Sequence, residues 1–166
     1  MYKTPENSTA LLHQVEGFTQ NPSVLFQAEM EKIKANMRDL PFYRQEVPCF
    51  CPKFILFENQ WIGTVVTPWM LSLLVLPGPD QVWDWRKLGD KIAVRLPYKT
   101  FMFTVSSLAN IPQYLSCSLI SPLKKQLTET QAVQLAKDCL TMSLSLPVQQ
   151  TAPDFNRRNI FTAMVK

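Results

Sequence analysis

Cysteine and histidine side chains are candidate ligands for a metal ion, and a cysteine thiol is also a candidate nucleophile. They stand at Cys49, Cys51, Cys117, Cys139 and His13. Cys49 and Cys51 are close enough in sequence to share a metal ion, but a metal site needs further ligands, and His13 lies in a leader with little structural signal. A thiol nucleophile also needs a histidine to activate it, which His13 is poorly placed to do. We therefore expect no metal site, no cofactor and no catalytic residue, and reduced thiols that are buried as small apolar side chains.

Carboxylates and indole rings follow each other closely in residues 77–86, as Asp80, Trp83, Asp84 and Trp85. A carboxylate can bind the guanidinium group of arginine through two parallel hydrogen bonds, and an indole ring can stack on its face. The loop is therefore a candidate receptor for an arginine of a partner protein. The alternative is a solvent-exposed turn in which Asp80 hydrogen-bonds to its own backbone.

Residues 57–81 are rich in tryptophan, proline and aliphatic side chains but contain no histidine, cysteine or phosphate-binding glycine loop. Such a composition is more typical of a protein-binding surface than of an active site. For Trp61, inside a predicted strand, burial between sheet and helix is favoured, whereas Trp69 follows a proline at a turn and either role fits it. The candidate partner-binding residues are Trp61, Trp69, Met70, Pro77, Gly78, Pro79, Asp80, Gln81, Trp83 and Tyr114.

Two helices are predicted, one before and one after a block of strands in the sequence. Asn21-Pro22 is typical of a helix start, and Pro41 ends the helix. Its apolar residues form one stripe, which we interpret as core packing: Phe26, Met30, Ile33, Met37 and Leu40. Thr128 and Gln131 form a capping-box pattern that opens a second helix, extending to about residue 146.

Between the helices, β-branched and aromatic residues predict about six antiparallel strands joined by short turns. Their predicted bounds are 54–57, 61–66, 70–76, 91–96, 100–108 and 113–121. Tyr114, Ser116 and Ser118 should face one side of the last strand and Leu115, Cys117 and Leu119 the other. The prolines at 41, 48 and 52 indicate an irregular crossing before the sheet. We expect an α+β fold of two layers.

The composition is that of one globular domain. With 166 residues, 46% hydrophobic and 18% charged, the chain can form a single core and resembles neither a disordered nor a membrane protein. The longest nearly apolar run, 69–76, is broken only by Ser72 and is too short to span a bilayer of about 30 Å. The net charge of +4 is small and the basic residues are dispersed, so nucleic acid is not an expected partner.

We divide the chain into a flexible leader (1–20), one domain (21–147) and a loosely ordered tail (148–166). The leader carries charged residues instead of a continuous apolar segment, so no secretory signal is visible and we expect a cytoplasmic protein. The tail is polar and has few periodic apolar residues.

The central block resembles a known family in the identity and order of its residues: Phe57-Glu58-Asn59-Gln60-Trp61-Ile62-Gly63, Thr67-Pro68-Trp69-Met70-Leu71, Pro77-Gly78-Pro79-Asp80-Gln81 and Trp83. The resemblance continues through Leu96-Pro97-Tyr98, Phe103-Thr104-Val105, Gln113-Tyr114-Leu115-Ser116-Cys117-Ser118-Leu119, Ser121-Pro122-Leu123, Asp138-Cys139 and Ser145-Leu146-Pro147. These segments are similar to the HybE-type [NiFe]-hydrogenase assembly chaperones, over about Asn21 to Arg158.

The resemblance implies a non-enzymatic accessory protein with a fold similar to secretion chaperones. It implies binding of a hydrogenase small-subunit precursor with a twin-arginine export signal, through the signal peptide, the mature part or both. The large subunit and other maturation proteins are further implied partners. Some family members carry a rubredoxin-like module, but this chain has no paired CxxC motifs, and Cys49 and Cys51 depart from the family pattern.

A second hypothesis comes from a different class of protein. The chain could be an enzyme or small-ligand protein that uses a pocket beneath the sheet, with Asp80 and Tyr114 as polar contacts. A closed cavity with convergent polar groups would favour this alternative, and an open apolar groove would favour the chaperone.

Overall fold

The computed structural model describes residues 14–147 and shows an α+β fold. Its helices are α1 (Ser23–Lys34) and α2 (Glu129–Ser143), with a 3-10 turn at Ala35–Met37. Its strands are β1 (Gln14–Glu16), β2 (Ile55–Phe57), β3 (Gln60–Thr67), β4 (Met70–Pro77), β5 (Val82–Asp84), β6 (Lys91–Arg95), β7 (Thr100–Leu108) and β8 (Ile111–Ile120). The predictions for residues 1–13 and for the tail 148–166 lie outside the described residues.

Six of these strands form the predicted antiparallel sheet, in the spatial order β2-β3-β4-β8-β7-β6. The predicted hairpin between β2 and β3 is confirmed, and Glu58 and Asn59 at its turn have φ angles of 51° and 67°. Two adjacent residues with positive φ give the two-residue turn whose twist matches that of antiparallel strands. The irregular crossing is also confirmed, and it touches the sheet through a single bridge between Phe50 and Val66.

The two helices pack on opposite faces of the sheet. On one face, Thr64 Oγ1 donates a hydrogen bond of 2.7 Å to the carbonyl oxygen of Ala136 on α2. On the other face, Val65 packs in a cluster with Phe26 of α1. The prediction of two layers is therefore wrong for β3 and β4, which are covered on both faces, and holds only towards β6 and β7. Uninterrupted burial along β3 and β4, against alternating burial along β6, reports the same difference.

Helix α1 begins where predicted but ends earlier. The side chain of Asn21 accepts a hydrogen bond of 3.2 Å from the Ser23 amide, and Phe26 and Met30 are buried against the sheet, which confirms the core interpretation of the stripe. After Lys34 the chain tightens into the 3-10 turn, so the helix stops before Pro41 removes an amide donor.

Helix α2 has the capping box that its sequence predicts. The Thr128 hydroxyl accepts a hydrogen bond of 3.1 Å from the Gln131 amide, and the Gln131 side chain accepts one of 3.0 Å from the Thr128 amide. The side chains of Ala132 and Ala136 are buried and small, so the helix backbone can approach β3 closely enough for the Thr64 hydrogen bond.

Two short strands were missed by sequence reasoning. Strand β1 lies within the segment 1–20 that the sequence assigned to a flexible leader, and β5 lies within the loop after Pro77. They pair with each other as an antiparallel ribbon, with Val15 opposite Trp83. Three-residue strands carry too little alternation for a pattern to be recognised.

Candidate partner-binding site

The motif from Pro77 to Gln81 forms a corner in which backbone packs directly on backbone. A Cβ atom at Gly78 would lie 1.7 Å from the carbonyl oxygen of Asn59, and one at Gly17 would lie 1.6 Å from the carbonyl oxygen of Gly78. Only glycine allows such approaches. The Gly17 amide donates to the Gln81 carbonyl at 2.9 Å, which joins the start of the described chain to this corner.

The side chain of Gln81 orients the residues that follow the corner. Its Oε1 accepts hydrogen bonds from the Gly78 amide and from the Trp83 indole Nε1, each at 3.1 Å. The amide of Gln81 donates to the Gly78 carbonyl at 3.0 Å and closes the turn. The indole of Trp83, a residue of β5, is therefore held in one orientation.

A buried glutamine on β8 holds the end of β5. Gln113 is 1% exposed; its Oε1 accepts a hydrogen bond of 2.8 Å from the Arg86 amide, and its Nε2 donates one of 3.2 Å to the Asp84 carbonyl. These two bonds imitate the pairing of a neighbouring strand. They fix the backbone on both sides of Trp85, whose side chain points to solvent.

Beside this anchor lies a cleft of about 300 Å³, between β5 and the ends of the main strands. It is lined by Gln60, Val82, Trp83, Asp84, Arg86, Ile92, Gln113 and Leu115. The volume is at the lower limit for small-molecule sites. The amide of Gln113 is already engaged with backbone groups, which leaves fewer convergent polar groups for a small ligand.

Residues 79–88 include strand β5 and the turns on either side of it, and we call this segment the outer loop. It exposes apolar side chains next to carboxylates. Val82, Trp85 and Leu88 are 55%, 46% and 55% exposed. Asp80 and Asp84 are exposed as well, and neither belongs to an ion pair among residues 14–147. A rigid loop with exposed apolar side chains and unpaired carboxylates suits a partner that is both apolar and basic.

The predicted partner-binding residues divide into buried and accessible groups. Trp69 and Tyr114 are each 6% exposed. Trp69 stacks on Tyr43 at 6.3 Å between ring centroids, and Tyr114 meets Phe26 edge-on at 5.0 Å. Burial raises the pKa of Tyr114 to about 12, as expected for a core phenol. Both side chains pack in the core in this structure.

The remaining candidates lie nearer the surface or in the corner. Trp61 is half-buried, and its indole Nε1 donates a hydrogen bond of 2.9 Å to the Phe18 carbonyl, in keeping with the favoured structural role. Pro77 and Gly78 are buried in the corner, Met70, Pro79, Gln81 and Trp83 are half-buried, and Asp80 is exposed. A role in partner binding stays a prediction for all ten residues, and it suits the accessible ones best.

The structure does not assemble the pocket of the alternative hypothesis. Asp80 is exposed on the outer loop, whereas Tyr114 faces α1 on the opposite face of the sheet from the cleft, and neither residue lines it. The expectation that these two residues converge on one ligand is therefore wrong. Alternation explains the error, since Tyr114 and its neighbour Leu115 point to opposite faces of β8.

Sequence reasoning missed Gln113 as a functional candidate. The residue falls on the same face of β8 as Leu115 and Cys117, where a polar side chain must find internal hydrogen-bond partners. A glutamine at an inward position of an apolar strand was the available signal. Val82 and Leu88 were also missed, because exposure of single aliphatic residues has no sequence signature.

The thiols of Cys49 and Cys51 are buried, as predicted. Burial raises the pKa of Cys49 to about 11 and that of Cys51 further still. The Cys51 Sγ lies 3.2 Å from the Thr64 carbonyl oxygen and donates a weak hydrogen bond to it. A buried neutral thiol is a poor nucleophile and a poor metal ligand. Across residues 14–147, no three His, Cys, Asp or Glu side chains lie close enough to hold a metal ion.

Comparison with known proteins identifies the family. A family model described as "[NiFe]-hydrogenase assembly, chaperone, HybE" matches residues 21–163. Hydrogenase-2 operon protein HybE of Escherichia coli (strain K12) is 46% identical over 145 residues, which cover 87% of this chain and 88% of that protein. Hydrogenase expression/formation protein HupJ of Bradyrhizobium diazoefficiens is 29% identical over 111 residues, 67% of this chain and 63% of that protein.

A solved structure supports the same relationship at the level of the fold. The solution structure of HybE from Escherichia coli matches with a TM-score of 0.70 and 45% identity, over 81% of this chain and 84% of that one. Among residues 14–147, neither helix is long and apolar enough to cross a membrane. The similarity extends over the whole domain and is not confined to the corner motif. The chain belongs to the family of HybE-type [NiFe]-hydrogenase assembly chaperones.

Proposed function

We propose that this chaperone binds the small-subunit precursor of a [NiFe] hydrogenase in the cytoplasm, while the precursor still carries its twin-arginine export signal. It holds the precursor until assembly with the large subunit, in concert with other maturation proteins, and catalyses no reaction. Membership of the assembly-chaperone family supports the class of client. The outer loop supports the mode of recognition.

The observation that carries this proposal is the proximity of two kinds of side chain on one loop of fixed geometry. Carboxylates that form no ion pair within residues 14–147 lie next to exposed apolar side chains. Asp80 and Asp84 can each accept a guanidinium group, while Val82, Trp85 and Leu88 offer apolar contact area. The loop is held at one end by the Gln81 side chain and at the other by Gln113. A preorganised loop loses little conformational entropy when it binds.

Trp83 adds a second means of recognising arginine. Its indole is half-buried, lines the cleft and is oriented by Gln81. A guanidinium group over an indole face gains about 0.5–2 kcal/mol, depending on how far it is desolvated. The site therefore offers arginine two kinds of partner, a carboxylate and an indole ring.

The test is calorimetric titration of purified precursor into the chaperone. The double variant Asp80→Asn with Trp83→Phe should bind about 10- to 100-fold more weakly, because it loses a charged partner and weakens a stacking surface. Asp39→Asn is the matched control, since it removes an exposed carboxylate outside the outer loop and should leave the affinity unchanged.

The same titration distinguishes the recognised part of the client. Precursor with its signal peptide should bind the unmodified chaperone more tightly than the mature small subunit does. Equal affinity of the double variant and the unmodified protein for the precursor would remove the proposed site.

A further inference from the structure

Among residues 14–147, strand β5 has one edge that no other strand covers. In the ribbon, Val15 pairs with Trp83, and the Gly17 amide donates to the Gln81 carbonyl at 2.9 Å. Because the backbone groups of successive strand residues point to opposite edges, those of Val82 and Asp84 point away from β1. Within residues 14–147, β1 is the only strand that pairs with β5.

One side chain already occupies part of this edge. Gln113 Nε2 donates to the Asp84 carbonyl, and Gln113 Oε1 accepts from the Arg86 amide. These are the bonds that a next strand would make, so the position beside β5 is compatible with strand pairing. Next to Gln113, the same edge borders the cleft, which Val82 and Asp84 line.

The two faces of β5 differ in chemistry. Val82 and Asp84 point to the outer face, as does Glu16, which lies opposite Val82 on β1. Asp80 lies in the turn that directly precedes β5. Trp83 points to the inner face, towards the apolar cluster that contains Leu115. The outer face is acidic, with the Arg86 side chain as the opposing charge at the cleft.

We infer that an extended peptide segment with two adjacent arginines adds to the free edge of β5, as a third strand of the ribbon, in the cleft beside Gln113. The inference rests on the proposed function, and it specifies how the arginine-bearing segment is held. The backbone of Val82 supplies one donor and one acceptor, and the Asp84 amide supplies a second donor. Strand addition of this kind takes affinity from main-chain bonds and specificity from alternating side chains.

Alternation gives the two arginines different partners. Adjacent residues of an added strand point to opposite faces, so one guanidinium group lies on the acidic face near Asp84 and the other lies over the indole of Trp83. A single arginine uses one of these partners. A peptide with both arginines uses the two faces together, which explains why both Asp84 and Trp83 belong to one site.

Amide hydrogen exchange tests the inference. The probe is a short synthetic peptide in which Arg-Arg is flanked by threonine and valine, and the matched control carries N-methyl groups on alternate amides so that it cannot pair as a strand. With the peptide at 100 times its dissociation constant, the amides of Val82 and Asp84 should exchange about 100-fold more slowly. The N-methylated peptide should bind at least about 10-fold more weakly.

The outcomes separate this inference from the proposed function. Unchanged exchange at Val82 and Asp84 in the presence of bound peptide or bound precursor would overturn strand addition and leave client binding intact. Equal affinity of the two peptides would also overturn it, as would failure of the Arg-Arg peptide to bind a chaperone that binds precursor. Failure of the precursor itself to bind would overturn the proposed function.

Discussion

Glu29 and Asn110 are joined by two hydrogen bonds although 81 residues separate them in the chain. The Asn110 side-chain Nδ2 donates to Glu29 Oε2 at 2.8 Å, and the Asn110 amide donates to Oε1 at 3.3 Å. Lys32 adds a salt bridge of 2.7 Å to a carboxylate whose side chain is 3% exposed. The contact ties α1 to the turn between β7 and β8.

This contact predicts a specific dependence of stability on pH. The pKa of Glu29 is lowered, first by the hydrogen bond from Lys32 and then by the one from Asn110. A lowered pKa in the folded state stabilises the fold fully above the unfolded value of 4.5, and this stabilisation is lost as pH falls through the folded value. Glu29→Gln should therefore unfold at a lower temperature than the unmodified protein at neutral pH, and the difference should shrink in acid.

Thermal unfolding measured by circular dichroism at a series of pH values checks this prediction. Glu31→Gln is the control, because Glu31 lies on the same helix but is exposed and pairs with Lys34 only at 3.8 Å. Its midpoint should follow that of the unmodified protein. A constant difference between Glu29→Gln and the unmodified protein at all pH values would show that the charge of Glu29 does not contribute.

The corner motif predicts a second, larger effect on stability. Gly78→Ala would place a Cβ atom 1.7 Å from the carbonyl oxygen of Asn59, and because the obstacle is backbone it cannot rotate away. The β2–β3 turn must shift, so we expect the free energy of unfolding to fall by at least about 3 kcal/mol, the upper range for overpacking. Urea denaturation measures the change.

Gly89→Ala separates steric conflict from backbone strain. Gly89 has a φ angle of 92°, but a Cβ atom there would meet nothing within 4 Å. Its cost is therefore conformational alone, about 1–2 kcal/mol. Equal losses for the two variants would mean that the corner can relax and that the contact between residues 59 and 78 is not rigid.

Long, regular elements could be predicted from the sequence, whereas the layers and the short ribbon could not. The hairpin from β2 to β3 followed from a polar turn between two β-branched runs. The runs 61–66 and 70–76 are apolar apart from Thr64 and Ser72, a pattern that indicates burial on both faces but does not identify the element that covers each face. Strands β1 and β5 are three residues each and lie beside the close backbone contact between Gly17 and Gly78, which joins segments far apart in the sequence.

The sequence indicates the chemistry of the candidate side chains but not the direction in which each one points. Asp80 and Trp83 carry groups that can bind arginine wherever the loop lies, so the hypothesis needed no structure. Trp69 and Tyr114 have the same aromatic surface, yet α1 and the irregular crossing cover them. Whether an aromatic side chain is core or contact depends on which elements pack over it, and that information is nonlocal.

The cysteines should react with alkylating reagents in two groups. Thiolate is the reactive form, and a pKa of about 11 leaves roughly one thiolate in a thousand at pH 8 for Cys49, with fewer still for Cys51. Cys117 and Cys139 are half-buried and should be modified first. Mass spectrometry after timed iodoacetamide treatment measures the order, and all four should react in urea. Modification of Cys49 as fast as Cys117 would contradict the burial.

Replacing the buried glutamine tests whether client binding depends on a preorganised loop. Gln113→Leu keeps the approximate volume but leaves the Arg86 amide and the Asp84 carbonyl without their partner. We expect the free energy of unfolding to fall by about 1–3 kcal/mol and the Arg86 amide to exchange at least about tenfold faster. The affinity for precursor should fall even where the variant is fully folded, because the loop must then be ordered on binding.

Gln134→Leu provides the matched control for the same substitution. Gln134 is exposed on α2, and its one side-chain hydrogen bond within residues 14–147 is to Asp138 at 2.9 Å, so neither stability nor precursor affinity should change appreciably. Calorimetry on the two variants at a temperature where both are folded separates positioning from stability. If Gln113→Leu lost stability but bound precursor as tightly as the unmodified protein, Gln113 would support the fold alone and recognition would not require the fixed backbone of residues 84–86.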